Sequence, residues 1–188
     1  GKYSADLYLN IDNNISFLDG PVYFDLIPIR EGVLEGVSYK EYNEFRKSIE
    51  QLTREINEFQ DLFSIIKSKT EVFSLTLNKS SLIPGDIEQD LKLLKKEIFA
   101  LDIKINGSPS KDSMGEKNPP NIQTFFYNAM NGLRSSYGPT GLHKESLQKA
   151  NSVLKKLNLK IDEINKGLMA KIENALKKSN SPYILAKP

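Results

Sequence analysis

The chain has 188 residues, 39% of them hydrophobic and 27% charged, with a formal net charge of +2. That balance suits a packed core, lacks the basic excess of a nucleic-acid-coating protein, and includes no stretch near the roughly 20 apolar residues of a membrane span. With no Cys and a single His, disulfides, thiol nucleophiles and thiolate metal sites are excluded, and a His-based triad or multi-His centre would have to be built around His143 alone.

In the first segment Tyr3, Ala5, Leu7, Leu9 and Ile11 alternate with Ser4, Asp6, Tyr8 and Asn10, the period-two pattern of a half-buried strand. Asp12-Asn13-Asn14 reads as a turn. A second run places Val22, Phe24 and Leu26 on one face after an Asp19-Gly20-Pro21 turn signal, with Ile15-Ser16-Phe17 as a short strand between. Two or three strands are expected over residues 1–31, a unit that is marginal on its own. Residues 32–37 form a linker.

Ser38 with Glu41 three positions on fits a reciprocal capping box. From there Tyr42, Phe45, Ile49, Leu52, Ile56, Phe59, Phe63 and Ile66 recur at spacings of three and four, and Phe73 and Leu77 carry the seam to about Asn78. Pro84-Gly85 breaks the pattern, and Asp86 with Gln89 signals a second N-terminus. Ile87, Leu91, Leu94, Ile98, Leu101 and Ile105 make a helix half as long, stopped by Asn106-Gly107. The polar stretch to Pro120 is expected to be a disordered or variable loop. Ile122, Phe126, Ala129 and Leu133 form a short helix ended by Tyr137-Gly138-Pro139. Thr140 caps the last helix, whose seam runs Leu147, Ala150, Leu154, Leu157, Ile161, Ile164, Leu168 and then, less strictly, Ile172 and Ala175.

The resulting fold class is mainly α. A long antiparallel three-helix bundle with a broken middle helix, or a four-helix bundle, spans residues 38–180, with a tail over 181–188. Spacings near 3.5 favour shallow helix crossings in both versions.

Each candidate for chemistry has a plainer structural explanation. Asp12, Asn13, Asn14 and Asp19 offer oxygen ligands for calcium, yet their spacing is not that of an EF-hand and Asx-rich turns are common. Glu41, Glu44, Glu50, Glu55, Glu58 and Asp61 interleave with Lys40, Arg46, Lys47 and Arg54, as on a solvated helix face. Lys144, Lys149, Lys155, Lys156, Lys160, Lys166, Lys171, Lys177 and Lys178 form a stripe interrupted by Glu145, Asp162, Glu163 and Glu173, again a solvated face. Among Phe125, Phe126 and Tyr127 at least one ring must point away from the seam. No catalytic, metal or cofactor site is assigned, and no cofactor is expected.

Several pieces, in order, resemble the C-terminal region of large exported bacterial proteins built on a sortilin-like BNR/Asp-box β-propeller and labelled glycosyl hydrolases. Gly1-Lys2-Tyr3-Ser4-Ala5-Asp6-Leu7 and Val22-Tyr23-Phe24-Asp25-Leu26 are similar to the last strands of an immunoglobulin- or fibronectin-like domain. Gly138-Pro139-Thr140, then a helix ending Ile161-Asp162-Glu163-Ile164-Asn165-Lys166-Gly167-Leu168, matches the helical part. The chain departs from that pattern at Leu26-Ile27-Pro28-Ile29-Arg30, where the family continues into a basic Asp-Pro-Arg.

The resemblance implies a non-catalytic accessory, interaction or spacer module of an extracellular or cell-surface protein. Export would then rest on a signal outside these residues, since no basic and apolar leader opens them. Its partners would be other domains of the parent or a second copy through the β segment. Two competing expectations are a carbohydrate- or peptide-processing domain using Asp112 and Glu116, and an intracellular adaptor bundle.

Overall fold

A computed structural model describes residues 1–27, 35–79 and 85–178. The described chain separates into two units, 1–36 and 37–188, dividing inside the expected 32–37 linker. The expected strand residues beyond 27 and the 181–188 tail lie outside the described residues.

The first unit is an antiparallel hairpin of β1 (Lys2–Ile11) and β2 (Asn14–Asp25). Asp12 and Asn13 have φ of 48° and 65°, so they form the two-residue turn with both central residues left-handed that suits the twist of paired strands. The expected Asp19-Gly20-Pro21 turn is instead an irregularity within one continuous β2, so the described residues form two strands. The pairing slips between Ala5 and Leu7 and again between Leu7 and Tyr8, and both extra residues belong to β2. Gly20 is required there. Its φ is 128°, and a Cβ on it would lie 2.9 Å from Asp6 Cα.

The second unit is the bundle. α1 (Tyr39–Lys79) is about 60 Å long at 1.5 Å per residue. The Ser38 hydroxyl accepts from the Glu41 amide at 3.2 Å. Glu41 does not complete the box, because its carboxylate is taken by the Lys144 ammonium. α2 (Asp86–Asn106) runs back along the C-terminal half of α1. Its N-cap is Gly85 rather than Asp86, which occupies the first helical position and favours the helix through its charge instead. α4 (Ile122–Met130) continues in the direction of α2 and leads through a single 3₁₀ turn, Asn131–Leu133, to the final helical run. That run comprises α5 (Gly141–Ile164), a π turn (Asn165–Met169) and α6 (Ala170–Lys178).

Contacts between helices identify the arrangement as the three-helix version. α4 packs on α5, whereas α2 packs on the π turn and α6 as well as on α1. The two short helices therefore share the middle position, each covering one end of the long pair. Cross-links agree with this order: Lys67 to Asp102 joins α1 to α2 at 3.0 Å, and Lys160 to Glu97 joins α5 to α2 at 3.0 Å.

The break in the middle, expected as a disordered or variable loop, contains a short helix and its own side-chain hydrogen bonds. Its short helix α3 (Pro109–Ser113) is held by Asn118, whose side chain accepts from the Ser108 amide at 2.8 Å and donates to Asp112 at 2.6 Å. The polar composition that suggests a loose loop supplies the side chains that fasten it.

The core is one continuous seam. Phe45, Ile49, Leu52, Ile56, Phe59, Phe63 and Ile66 meet Leu91, Leu94, Ile98, Leu101 and Ile105, with Ala129, Ala150, Leu154, Leu157, Ile161 and Ile164 completing it. Toward the end of α1 the buried positions are Thr70, Phe73 and Thr76, not Leu77, which is only partly buried. The Thr70 hydroxyl donates to the Ile66 carbonyl at 2.9 Å, which makes a polar seam residue tolerable. In the last helical run Leu168 and Ala175 give up the seam to Met169 and Leu176.

Gly138 has φ of 86°, and a Cβ there would run into the Val37 side chain. Its neighbour Tyr137 accepts a hydrogen bond from the Val37 amide at 2.9 Å, fastening the entry of α1 to the α4–α5 corner. Gly138→Ala is expected to cost about 1–3 kcal/mol through combined strain and collision. Urea unfolding followed by helical circular dichroism measures it.

Candidate interaction surface

The carboxylates of α1 are strung along its length, Glu41 and Glu55 toward α5 and the others facing solvent. Glu41 pairs with Lys144 and Glu50 with Arg46 at 2.9 Å, while Glu55 accepts from Gln51 at 2.8 Å. From Glu41 to Asp61 the helix rises about 30 Å, so these groups do not converge on one reacting atom. A shallow groove between α1 and α5 brings Glu55 near Asn158, Lys155 and Asp162. Asp162 is engaged by Lys166 at 3.1 Å. Asp112 fastens the loop through Asn118, and Glu116 is exposed. His143 completes a helix cap, its Nδ1 accepting from the Thr140 amide at 3.1 Å.

The lysine stripe is largely spent on neighbouring acids. Lys149 and Lys166 bind carboxylates on their own helix, and Lys144, Lys160 and Lys171 reach Glu41, Glu97 and Asp90 on other helices. Hydrogen bonding to Glu97 raises the pKa of Lys160 above the ordinary lysine value, and Asp90 does the same for Lys171. The Lys149 ammonium lowers that of Glu145. Raised lysine values contribute stability that is present below the unfolded lysine pKa and lost as pH rises through the folded one. A lowered glutamate loses its contribution as pH falls through its folded value. The bundle's urea midpoint is therefore expected to stay level from about pH 6 to 9 and to decline above about pH 10.5.

Of the three consecutive aromatics, Phe126 is buried and Phe125 half-buried, with the Lys149 ammonium 5.9 Å from its ring centre. Tyr127 is the exposed one.

Among the described residues, the largest gathering of exposed apolar side chains is on the hairpin. Cross-strand pairing puts Tyr3, Ala5, Leu7, Leu9, Ile11, Val22 and Phe24 on one face, and Tyr8, Ile15, Phe17 and Tyr23 on the other. All are exposed, Ile15 at 70% and Tyr23 at 78%. The Tyr3 and Phe24 rings stack at 6.0 Å on the first face, and Tyr8 meets Phe17 edge-on at 5.6 Å on the second. Asp12 and Asn13 sit at the tip, while Asp19 lies opposite Leu7, roughly 13 Å away along the strand, its carboxylate accepting from the Gly20 amide at 2.8 Å. These oxygens do not form one ion cage.

Simple alternation describes the first face well. The second face follows from the same alternation along one continuous β2, since its two slips together restore the parity that one would reverse and leave Ile15, Phe17 and Tyr23 opposite in face to Val22 and Phe24; the expected turn at the irregularity hid it. The Gly20-Pro21 pair, placed inside an otherwise apolar run, is the signal that could have located the irregularity.

The bundle is a long helical module carrying a two-faced apolar hairpin. Comparison with protein-family models, with curated proteins and with solved structures finds no match.

Proposed function

We propose that this chain is a non-catalytic helical accessory module of a larger extracellular bacterial protein, working through its hairpin as a docking element. The observation that carries the reading is the exposure of apolar and aromatic side chains on both hairpin faces. A solvated antiparallel pair ordinarily presents one polar face. A pair apolar on both belongs inside a larger assembly, and contiguous exposed apolar area of this kind marks interaction surfaces. The likeness of Gly1–Leu7 and Val22–Leu26 to the closing strands of an immunoglobulin-like domain supports an extracellular parent.

The test is light scattering coupled to size exclusion, on the intact chain and on a chain lacking residues 1–31. The bundle core begins at Phe45, so the deletion leaves it whole. Concentration-dependent association of the intact chain, absent after the deletion, is the expected result. Equal association of both chains would remove the hairpin's docking role. Glycan or peptide hydrolysis that is lost on Asp112→Ala or Glu116→Ala would overturn the non-catalytic reading.

A further inference from the structure

The two edges of the hairpin differ. The β2 edge carries Pro21, which has no amide to donate, next to Gly20 and two register slips. Proline and bulges are the devices that blunt an edge against further pairing. β1 contains neither proline nor glycine, and neither slip inserts a residue in it. Because Ile11 and Asn14 close a two-residue turn, the odd-numbered amides of β1 face β2. Those of Ser4, Asp6, Tyr8 and Asn10 then face outward. Among the described residues no strand pairs with that outward edge.

We infer that β1 is a self-complementary edge that pairs antiparallel with β1 of a second copy about a two-fold axis at Leu7, giving a continuous sheet in the order β2, β1, β1, β2. The inference rests on the hairpin being the docking element and names its occupant. For an antiparallel two-fold pair, apolar face meets apolar face only when a residue, not a peptide bond, lies on the axis. Two such registers use nearly all of β1. Centring on Asp6 would set Asp6 against its own copy, and like charges directly opposite destabilise a sheet. Centring on Leu7 sets Leu7 against Leu7, Ala5 against Leu9 and Tyr3 against Ile11 on the apolar face. On the other face it sets Asp6 against Tyr8 and Ser4 against Asn10, and at the ends it brings Lys2 opposite Asp12. The outward amides fall at the Asp6–Tyr8 and Ser4–Asn10 pairs, where this register needs its hydrogen bonds.

The chain has no cysteine, so single cysteines report the register directly. In full-length Leu7→Cys the two thiols would sit at a non-hydrogen-bonded pair, with Cα atoms about 4.5 Å apart and within disulfide reach. Mild oxidation is expected to convert most of that variant to a covalent dimer. Leu9→Cys alone is expected to stay monomeric on a non-reducing gel, because its two copies would lie about 13 Å apart. Mixed with Ala5→Cys chains it should give the heterodimer. Asn10→Pro, which removes one outward amide and none that faces β2, should abolish the Leu7→Cys cross-link.

Equal cross-linking of all single-cysteine variants, or none at Leu7→Cys, overturns the inference. In the second case, association that still depends on residues 1–31 leaves the docking role of the hairpin standing with another occupant. Absence of any such dependence removes the docking role as well.

Discussion

Leu94→Ala is expected to lower the stability of the bundle by about 3–4 kcal/mol, within the range measured for large-to-small changes at fully buried sites. Leu94 has 0% exposure, and lies in the middle of α2. α2 fills the third position of the bundle only along its own length, because α4 takes over at the other end. A cavity at Leu94 is therefore walled by α1 on one side and the final helical run on the other, with no third long helix to close over it. Phe99 on the same helix is exposed, and Phe99→Ala is expected to change stability by less than about 0.5 kcal/mol. Chemical unfolding of the two variants separates a seam position from a surface position five residues away. Similar losses in both would mean that α2 is rotated from the placement described.

Periodicity carries far in this chain because its dominant interaction is periodic. Core residues from Phe45 to Ile66 and from Leu91 to Ile105 fall where the three-and-four spacing puts them, since a long seam averages over local exceptions. The same is true of the helix stop at Gly107, where positive φ makes glycine the suitable residue, whereas the short helix expected to run to Gly138 ends earlier, at Met130 with a 3₁₀ turn to Leu133.

What pattern alone did not reveal depends on particular contacts across the fold. Glu41 had two possible partners, the backbone amide at the start of its own helix and Lys144, which is far away in sequence; only the packing of α5 beside α1 decides between them. Asn118 is an unremarkable loop residue until Ser108 and Asp112 are brought to it. The hairpin's second apolar face emerged once Ile15–Phe17 and Val22–Phe24 proved to be parts of one strand, whose two slips in pairing cancel and keep the alternation of faces. Chemistry was legible mainly as dispersal: the carboxylates and lysines that attract notice lie along helix faces, and most of the lysines are held by neighbouring acids.

Deleting Gly167 is expected to leave the fold intact and the thermal midpoint unchanged or higher, whereas deleting Asn158 is expected to unfold the C-terminal third of the bundle. Along α5 the buried positions run Ala150, Leu154, Leu157, Ile161 and Ile164, and the next is Met169, followed by Ile172 and Leu176. The single step of five falls on the π turn Asn165–Met169, the geometry by which a helix absorbs one extra residue. Removing Gly167 shortens that step to four, so Met169, Ile172 and Leu176 meet the seam on regular α spacing. It also removes a glycine that costs a helix about 1 kcal/mol relative to alanine. A Cβ built on Gly167 would meet open space, so no neighbouring element packs against that side of the residue. Asn158 precedes the π turn in a regular stretch, so its loss rotates everything after it by about 100°. Ile161 and Ile164 then leave the seam, and the downstream groups follow unless the π turn is itself rearranged. Salt bridges cannot hold the displaced helix, since Lys160 and Lys171 would turn away from Glu97 and Asp90 with it. Thermal unfolding followed by helical circular dichroism distinguishes the cases. Equal destabilisation by both deletions would mean that the π turn is needed for more than its extra residue.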